Sequence, residues 1–262
     1  MLLAIDMGNT QTEVGLMEGD RLVVTERLST DLKKTSFEYA VFLHNIFEMC
    51  RVDTKKITGA IISSVVPPLT IVLKEAVKKA VGLMPMVVGP GVKNGLKIKI
   101  DDPKQLGADM VVDAVGGLEL YGAPLIIIDM GTATTISALD AGGCFIGGMI
   151  VPGVMLSVNA LVSGTSQLPK IDLVAPRKAV GANTVDCMKS GVIFGQAAQL
   201  DGLVKRIRRE LGAEAKVIAT GGLSSVVVPY CETEITIDRE LMIKGLKAIY
   251  DRNAVYDKNA SK

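Results

Sequence analysis

An apolar strand, an aspartate and a glycine two residues further on occur twice in this chain, and that duplication restricts the fold more than any other feature. Near the start, Leu3-Ala4-Ile5-Asp6-Met7-Gly8-Asn9-Thr10-Gln11-Thr12 runs from a strand through acid and glycine into amide and hydroxyl side chains. Almost half a chain later, Ile127-Ile128-Asp129-Met130-Gly131-Thr132-Ala133-Thr134-Thr135 repeats the order. A second strand-like run follows each copy. Two copies imply two similar lobes, each presenting one loop to a shared cleft. Glycine lets the backbone turn tightly and approach an anion, while its N–H groups and the threonine hydroxyls donate to phosphate oxygens. An aspartate ending a buried strand is costly unless a cation meets it, and beside a nucleotide that cation is usually a metal ion. The pattern points to an α/β protein that handles nucleotides.

At 262 residues the length favours two domains. The duplication places their boundary before Pro124, giving an N-terminal lobe over 1–123 and a C-terminal lobe over 124–262. A formal charge of +1 gives no electrostatic case for nucleic acid or a membrane surface. Tryptophan is absent and aromatics make up 4%, so a base-stacking platform is not expected either. No basic leader precedes the first strand, and no apolar stretch is long enough to span a bilayer. A cytoplasmic protein is expected. Cys50, Cys144, Cys187 and Cys231 are scattered without a CxxC pair, which predicts buried free thiols in a reducing compartment rather than a zinc site. The one histidine, His44, lies in a helix-period segment with Tyr39, Leu43, Ile46 and Phe47, so it reads as a helix residue and not as a catalytic base.

Strands are expected at Leu2–Ile5, Thr12–Met17, Leu22–Leu28, 59–63 and Met86–Val88. The second half adds strands at Leu125–Asp129, Thr134–Leu139, Cys144–Ile150 and Lys216–Ala219. Ser36 is the expected cap of a helix running to about Cys50, without a full capping box because Tyr39 stands three residues on. Further helices are expected from Pro68, over about 107–121, after Pro152-Gly153, from Thr184 towards Leu211, and over about 239–252. The stretch from Lys93 to Pro103 reads as loop-rich.

A third glycine turn, Ala219-Thr220-Gly221-Gly222, follows a late strand. Alone, each of the three turns is weak evidence; in this order they resemble the actin, sugar-kinase and heat-shock chaperone ATPase superfamily. That resemblance implies a duplicated, ribonuclease-H-like fold of two similar lobes, with mixed β-sheets flanked by helices and a shared nucleotide cleft. Neither a G-x-x-x-x-G-K-[ST] loop nor a G-x-G-x-x-G opening a βαβ unit is present, so the two commoner nucleotide folds are unsupported. In Asp101-Asp102-Pro103-Lys104-Gln105-Leu106-Gly107-Ala108-Asp109 a carboxylate falls in the first turn of a helix. The helix N-terminus favours its ionised form, which suits a proton acceptor. A plain helix cap is an equal reading of Asp109.

The chain further resembles the type III pantothenate kinases over nearly its whole length. The pattern D-x-G-N-T is met at Asp6–Thr10, N-P-x-x-x-G-A-D-R at 102–110, D-x-G-T-A-T-T at Asp129–Thr135 and G-G-x-I-x-P-G at Gly147–Gly153. The resemblance implies ATP-dependent phosphorylation of pantothenate to 4'-phosphopantothenate at the start of coenzyme A biosynthesis. It implies Asp109 as the base that takes the hydroxyl proton. Asp6, Met7, Gly8, Asn9, Thr10, Gln11, Thr12 and Glu13 would wrap the ATP phosphates, with Asp6 meeting Mg2+ through water. Thr132 would bind phosphate, and Gly221 and Gly222 would lie by the adenosine. Asp129 would ligate a monovalent cation, K+ or NH4+. Gly107, Ala108, Asp109 and Met110 would line the pantothenate pocket, and Thr184 would reach the site of a partner subunit in a homodimer.

Departures from the family pattern fall on the acceptor side. The arginine after the catalytic aspartate is Met110 here, the tyrosine three residues before Pro103 is Ile100, and Asn-Pro is Asp102-Pro103. Methionine cannot pair with a carboxylate as arginine does. Lys97 and Lys99 are substitute cations by proximity in sequence, or simply solvated charges on an alternating strand. Two alternatives follow: a kinase for a different small hydroxyl compound, or a nucleotide-binding regulatory protein that has lost catalysis. Retention of Asp6, Asp109, Asp129 and Thr132 argues against the second.

Overall fold

The computed structural model describes residues 1–260. It divides into two compact units, one formed by Met1–Gly95, Lys104–Glu119 and the C-terminal stretch from Glu240, the other by Leu96–Pro103 and Leu120–Arg239.

The first unit is built on a five-stranded sheet of β1 (Leu2–Met7), β2 (Gln11–Glu18), β3 (Arg21–Ser29), β4 (Gly59–Ser64) and β5 (Met86–Val87), in the order β3-β2-β1-β4-β5. β1 runs antiparallel to β2 and parallel to β4. Strand side chains alternate between faces. Leu3, Ile5 and Met7 therefore meet α1 (Ser36–Met49) and α2 (Pro67–Val81) in one core with Tyr39, Leu43, Phe47, Leu69 and Leu73. Leu2, Ala4 and Asp6 turn to the opposite face. There α7 (Leu241–Ala260) lies across β1 and β4. Its approach needs glycine at two strand positions: a Cβ on Gly15 would come within 2.7 Å of Ile243, and one on Gly59 would collide with Tyr250. Gly15 pairs with Ala4 and Gly59 with Leu2, so both glycines belong to that second face. α3 (Ala108–Tyr121) in turn packs on α7, where Gly116 faces Gly245 at backbone contact.

The second unit has a six-stranded sheet of β6 (Lys97–Ile98), β7 (Leu125–Met130), β8 (Ala133–Leu139), β9 (Cys144–Pro152), β10 (Lys216–Thr220) and β11 (Thr236–Ile237), ordered β11-β10-β7-β8-β9-β6. With β6 set aside, the order and strand senses repeat those of the first sheet. Even the irregularity recurs in place: the register shifts between Leu16 and Met17 in one unit and between Ala138 and Leu139 in the other. Ile126, Ile128 and Met130 join a core with α4 (Val154–Ser163) and α5 (Thr184–Leu211) through Val158, Ile193, Leu200 and Val204, and a short α6 (Ser224–Val227) follows β10. Asp129, like Asp6, alternates to the other face. The protein is thus α/β, with two similar mixed sheets flanked by helices, as the duplicated motif implies.

Several local expectations are corrected. α1 is capped by Thr35, not Ser36, and its capping box is complete: Thr35 accepts from the Glu38 N–H, and Glu38 accepts from the Thr35 N–H at 2.8 Å. The loop-rich stretch after Lys93 also holds β6, paired in parallel with β9, and ends in a 3-10 turn at Pro103–Gln105. β11 has no counterpart in the sequence reading. The cysteines are free, but only Cys144 is buried; Cys187 is exposed, and Cys50 and Cys231 are half-buried. His44 is an exposed residue of α1. Among the described residues, no helix is long and apolar enough to cross a membrane.

Candidate active site

The first loop is closed by a hydrogen bond from the Gly8 N–H to the Gln11 carbonyl at 3.0 Å. A Cβ on Gly8 would sit 3.1 Å from that oxygen, so glycine keeps the turn tight. Asn9, Thr10 and Gln11 are exposed on its outer side. Met7 and Thr12 are fully buried, so they support the loop from beneath rather than presenting surface to a ligand. The Thr12 hydroxyl lies 2.9 Å from that of Thr30. Glu13 stands directly across from Asp6 in β2, on the same face of the sheet. Two carboxylates so placed repel each other. Arg27 of β3 offsets this, donating to Glu13 through Nη2 at 3.1 Å and Nε at 3.3 Å, with Thr25 adding a hydroxyl at 3.3 Å. Glu13 is thus held by β3. On the other flank of Asp6, β4 places Ser63, whose buried hydroxyl has no hydrogen-bond partner among the described residues.

The second loop has the same closure, Gly131 N–H to Ala133 carbonyl at 3.1 Å. Thr132 is exposed, and Asp129 pairs with Thr135 on one side and Thr220 on the other. The late glycine turn belongs to this site. Gly221 has φ +85°, and a Cβ there would lie 2.5 Å from Asp129 Oδ1 and 2.6 Å from the Met130 backbone. Both the left-handed conformation and the close approach require glycine. Gly222 beside it is exposed. From below, Gly153 at the N-terminus of α4 presses on the same loop: a Cβ there would collide with the Thr132 carbonyl and sit 2.7 Å from that of Gly131. The Pro152-Gly153 pair therefore supports the second loop, a role not read from the sequence.

Asp109 occupies the first turn of α3, half-buried, and accepts the Met110 N–H at 2.7 Å. Burial raises its pKa above the ordinary aspartate value, and the backbone N–H bonds of Met110 and of Asp109 itself pull the other way. A Cβ on Gly107 would collide with the Asp109 carboxylate, so Gly107 clears the space that the acid occupies. Because α3 packs on α7, Asp109 belongs to the same side of the first sheet as Asp6. Ala108 and Met110 flank it, both half-buried.

Thr184 opens α5 and is exposed, next to Asn183, which caps the helix by accepting the Asp186 N–H at 2.9 Å. Lys99 is not a spare cation. It pairs with Asp140 at 3.1 Å, which raises the lysine pKa and helps lower that of the aspartate. Lys97 is exposed on β6. Among the described residues, no cluster of three or more acidic, histidine or cysteine side chains could form a metal cage. A depression lined by Asp201, Lys205, Arg208 and Glu232 contains none of the expected site residues.

The sequence profile of the type III pantothenate kinase family matches residues 2–206. Type III pantothenate kinases of Halalkalibacterium halodurans and of an Exiguobacterium species are each 44% identical to this chain over 97% of its length, covering 100% and 99% of the relatives. Among solved structures, a Campylobacter jejuni protein assigned to a Baf family of transcriptional activators is similar in fold, with a TM-score of 0.59 and 20% identity over 96% of this chain and 98% of that one. A Sinorhizobium meliloti protein assigned as a 2-dehydro-3-deoxygalactonokinase is similar in fold with a TM-score of 0.56 and 12% identity, covering 96% of each chain.

Proposed function

The chain belongs to the type III pantothenate kinase family, and from that premise we propose how its own residues bring ATP and pantothenate to reaction. The enzyme phosphorylates pantothenate in coenzyme A biosynthesis. Asp109 accepts the proton of the pantothenate primary hydroxyl while that oxygen bonds to the γ-phosphorus and the bond to the ADP leaving oxygen breaks. The desolvated carboxylate of Asp109, with Gly107 clearing its space, is the observation that carries this assignment. Burial makes it a stronger base than an exposed aspartate, and the Met110 N–H holds its orientation. Gly107, Ala108 and Met110 line the acceptor pocket around it.

Phosphoryl transfer depends on positioning and charge neutralisation. Asp6 and the loop Gly8–Gln11 hold the ATP phosphates, with the buried Met7 and Thr12 supporting the loop and Glu13 completing the strand beneath. Thr132 binds phosphate from the second loop, and Gly221 and Gly222 lie by the nucleoside. Mg2+ keeps most of its waters and is usually bound by substrate phosphates with one or two carboxylates. The Asp6 carboxylate fits that donor set, and a protein-only cage is not needed. Mg2+ bound there neutralises phosphate charge. Asp129, against the Gly221 turn, is the proposed ligand of K+ or NH4+.

Thr184 serves the pocket of a partner subunit in a homodimer. Exposed apolar side chains in the second unit are in keeping with this: Ile150 of β9 is 72% exposed, Leu156 of α4 51%, and Val180, just before the Thr184 helix, 86%. The deciding experiment is a coupled ADP assay with pantothenate, with and without K+, on wild type and Asp109→Asn. Undiminished turnover in the variant would remove Asp109 from the mechanism, and indifference to monovalent cations would remove Asp129 as their ligand.

A further inference from the structure

We propose that Thr30, the first residue beyond β3, is a positioning residue that sets which way the peptide groups of the first phosphate loop face. The proposal rests on the reading of Asp6–Glu13 as the ATP phosphate loop. Thr30 grips that loop at two points. Its N–H donates to the Thr10 carbonyl at 3.0 Å, and its hydroxyl donates to the Gly8 carbonyl at 2.8 Å. A hydroxyl has one proton, and a carbonyl can only accept. The 2.9 Å contact between the Thr12 and Thr30 hydroxyls therefore runs from Thr12 to Thr30. The result is a directional chain beneath the loop, from Thr12 through Thr30 to Gly8.

A trans peptide is planar, with its N–H opposite its C=O. Both loop peptides concerned are trans. Drawing the Gly8 carbonyl to Thr30 turns the Asn9 N–H to the other side, and drawing the Thr10 carbonyl does the same for the Gln11 N–H. Asn9 and Gln11 are both exposed residues. Without the Thr30 hydroxyl, the peptide after Gly8 loses its side-chain restraint, and glycine offers little steric resistance to rotation. A rotated peptide would present a carbonyl oxygen to a phosphate, replacing an attraction with a repulsion. Thr30 is itself anchored through its neighbour: the Asp31 N–H donates to Tyr39 Oη at 3.1 Å, and Tyr39 Oη donates to the Asp31 carbonyl at 3.3 Å. Tyr39 is buried in the first core, so the loop takes its orientation from the packed interior.

The test uses the full chain with Thr30→Val, which keeps the shape and removes the hydroxyl, and Thr30→Ser, which restores it. Binding of a non-hydrolysable ATP analogue with Mg2+ is measured by calorimetry, alongside KM for ATP and for pantothenate. Thr30→Val should weaken analogue binding and raise KM for ATP by roughly tenfold, or about 1.4 kcal/mol. KM for pantothenate should stay within about twofold, and Thr30→Ser should recover most of the nucleotide affinity. If Thr30→Val does not fold, Thr30→Ala makes the same deletion with less bulk. Unchanged nucleotide affinity with only a lowered melting temperature would overturn the proposal, as would an equal loss for both substrates. Asp6→Asn separates this from the underlying reading. Weakened nucleotide binding in Asp6→Asn with normal binding in Thr30→Val sinks the Thr30 role alone; normal binding in both sinks the loop assignment as well.

Discussion

Replacing Gly153 with alanine separates the effect of local conformation from that of tertiary contact, because the two give opposite signs. Gly153 has φ −65° and ψ 162°, a conformation any residue adopts. By the unfolded-state argument alone, Gly→Ala there should stabilise by roughly 0.4–1 kcal/mol. The new Cβ, however, would meet the Thr132 carbonyl and lie 2.7 Å from the Gly131 carbonyl, and these are backbone atoms that cannot swing aside. Overpacking of this kind costs roughly 1–3 kcal/mol. The net expectation is a loss of about 1–2 kcal/mol, which for a protein of this size lowers the melting temperature by about 2–8 °C. The relaxation should displace the second loop, so KM for ATP should rise while KM for pantothenate changes little. Thermal melts with and without Mg2+ and ATP, paired with steady-state kinetics, read both effects. A melting temperature equal to or above wild type, with unchanged KM for ATP, would refute the claim that Gly153 supports that loop.

Asp109→Asn should lower kcat by roughly 10²- to 10⁴-fold, as expected for loss of a general base. The same variant should make the ligand-free protein more stable at neutral pH. A carboxyl whose folded pKa is raised contributes stability only when protonated, so wild type should draw level as pH falls through the folded pKa and below the ordinary aspartate value. A neutral-pH melting temperature below that of wild type would contradict the burial-driven shift. Met110→Arg should lower KM for pantothenate by roughly tenfold if it adds a charge-assisted hydrogen bond, and an unchanged KM would show that the departure from the family pattern is neutral. Ile150→Lys combined with Val180→Asp should shift sedimentation from dimer to monomer; an unaltered dimer would move the interface elsewhere.

Patterns that repeat or alternate were legible in the sequence. The two Asp-x-Gly turns named the two sheets and placed Asp6 and Asp129 at the ends of buried strands. Asp109 could be assigned to the first helical turn from Gly107 and the apolar periodicity after it. Thr35 was legible in principle, since Glu38 stands three residues on, but Ser36 is an equally good capping type, and only the backbone decides between neighbours. β6 and β11 have two residues each, too few for any periodic signal. Lys99 could be seen as a charge, whereas its commitment to Asp140 depends on β6 lying beside β9.

Covalent order determined, without help from the fold, where the backbone must be permissive and where carboxylates must end strands or begin a helix, because those are properties of single residues and their near neighbours. Only tertiary structure decided what each permissive position is for. Gly15 and Gly59 admit α7 to the first sheet, Gly221 meets Asp129, Gly153 lies under Thr132, and Thr30 holds Gly8. Each of these pairings joins residues distant in the chain, and close packing, which no local pattern encodes, sets which atoms touch.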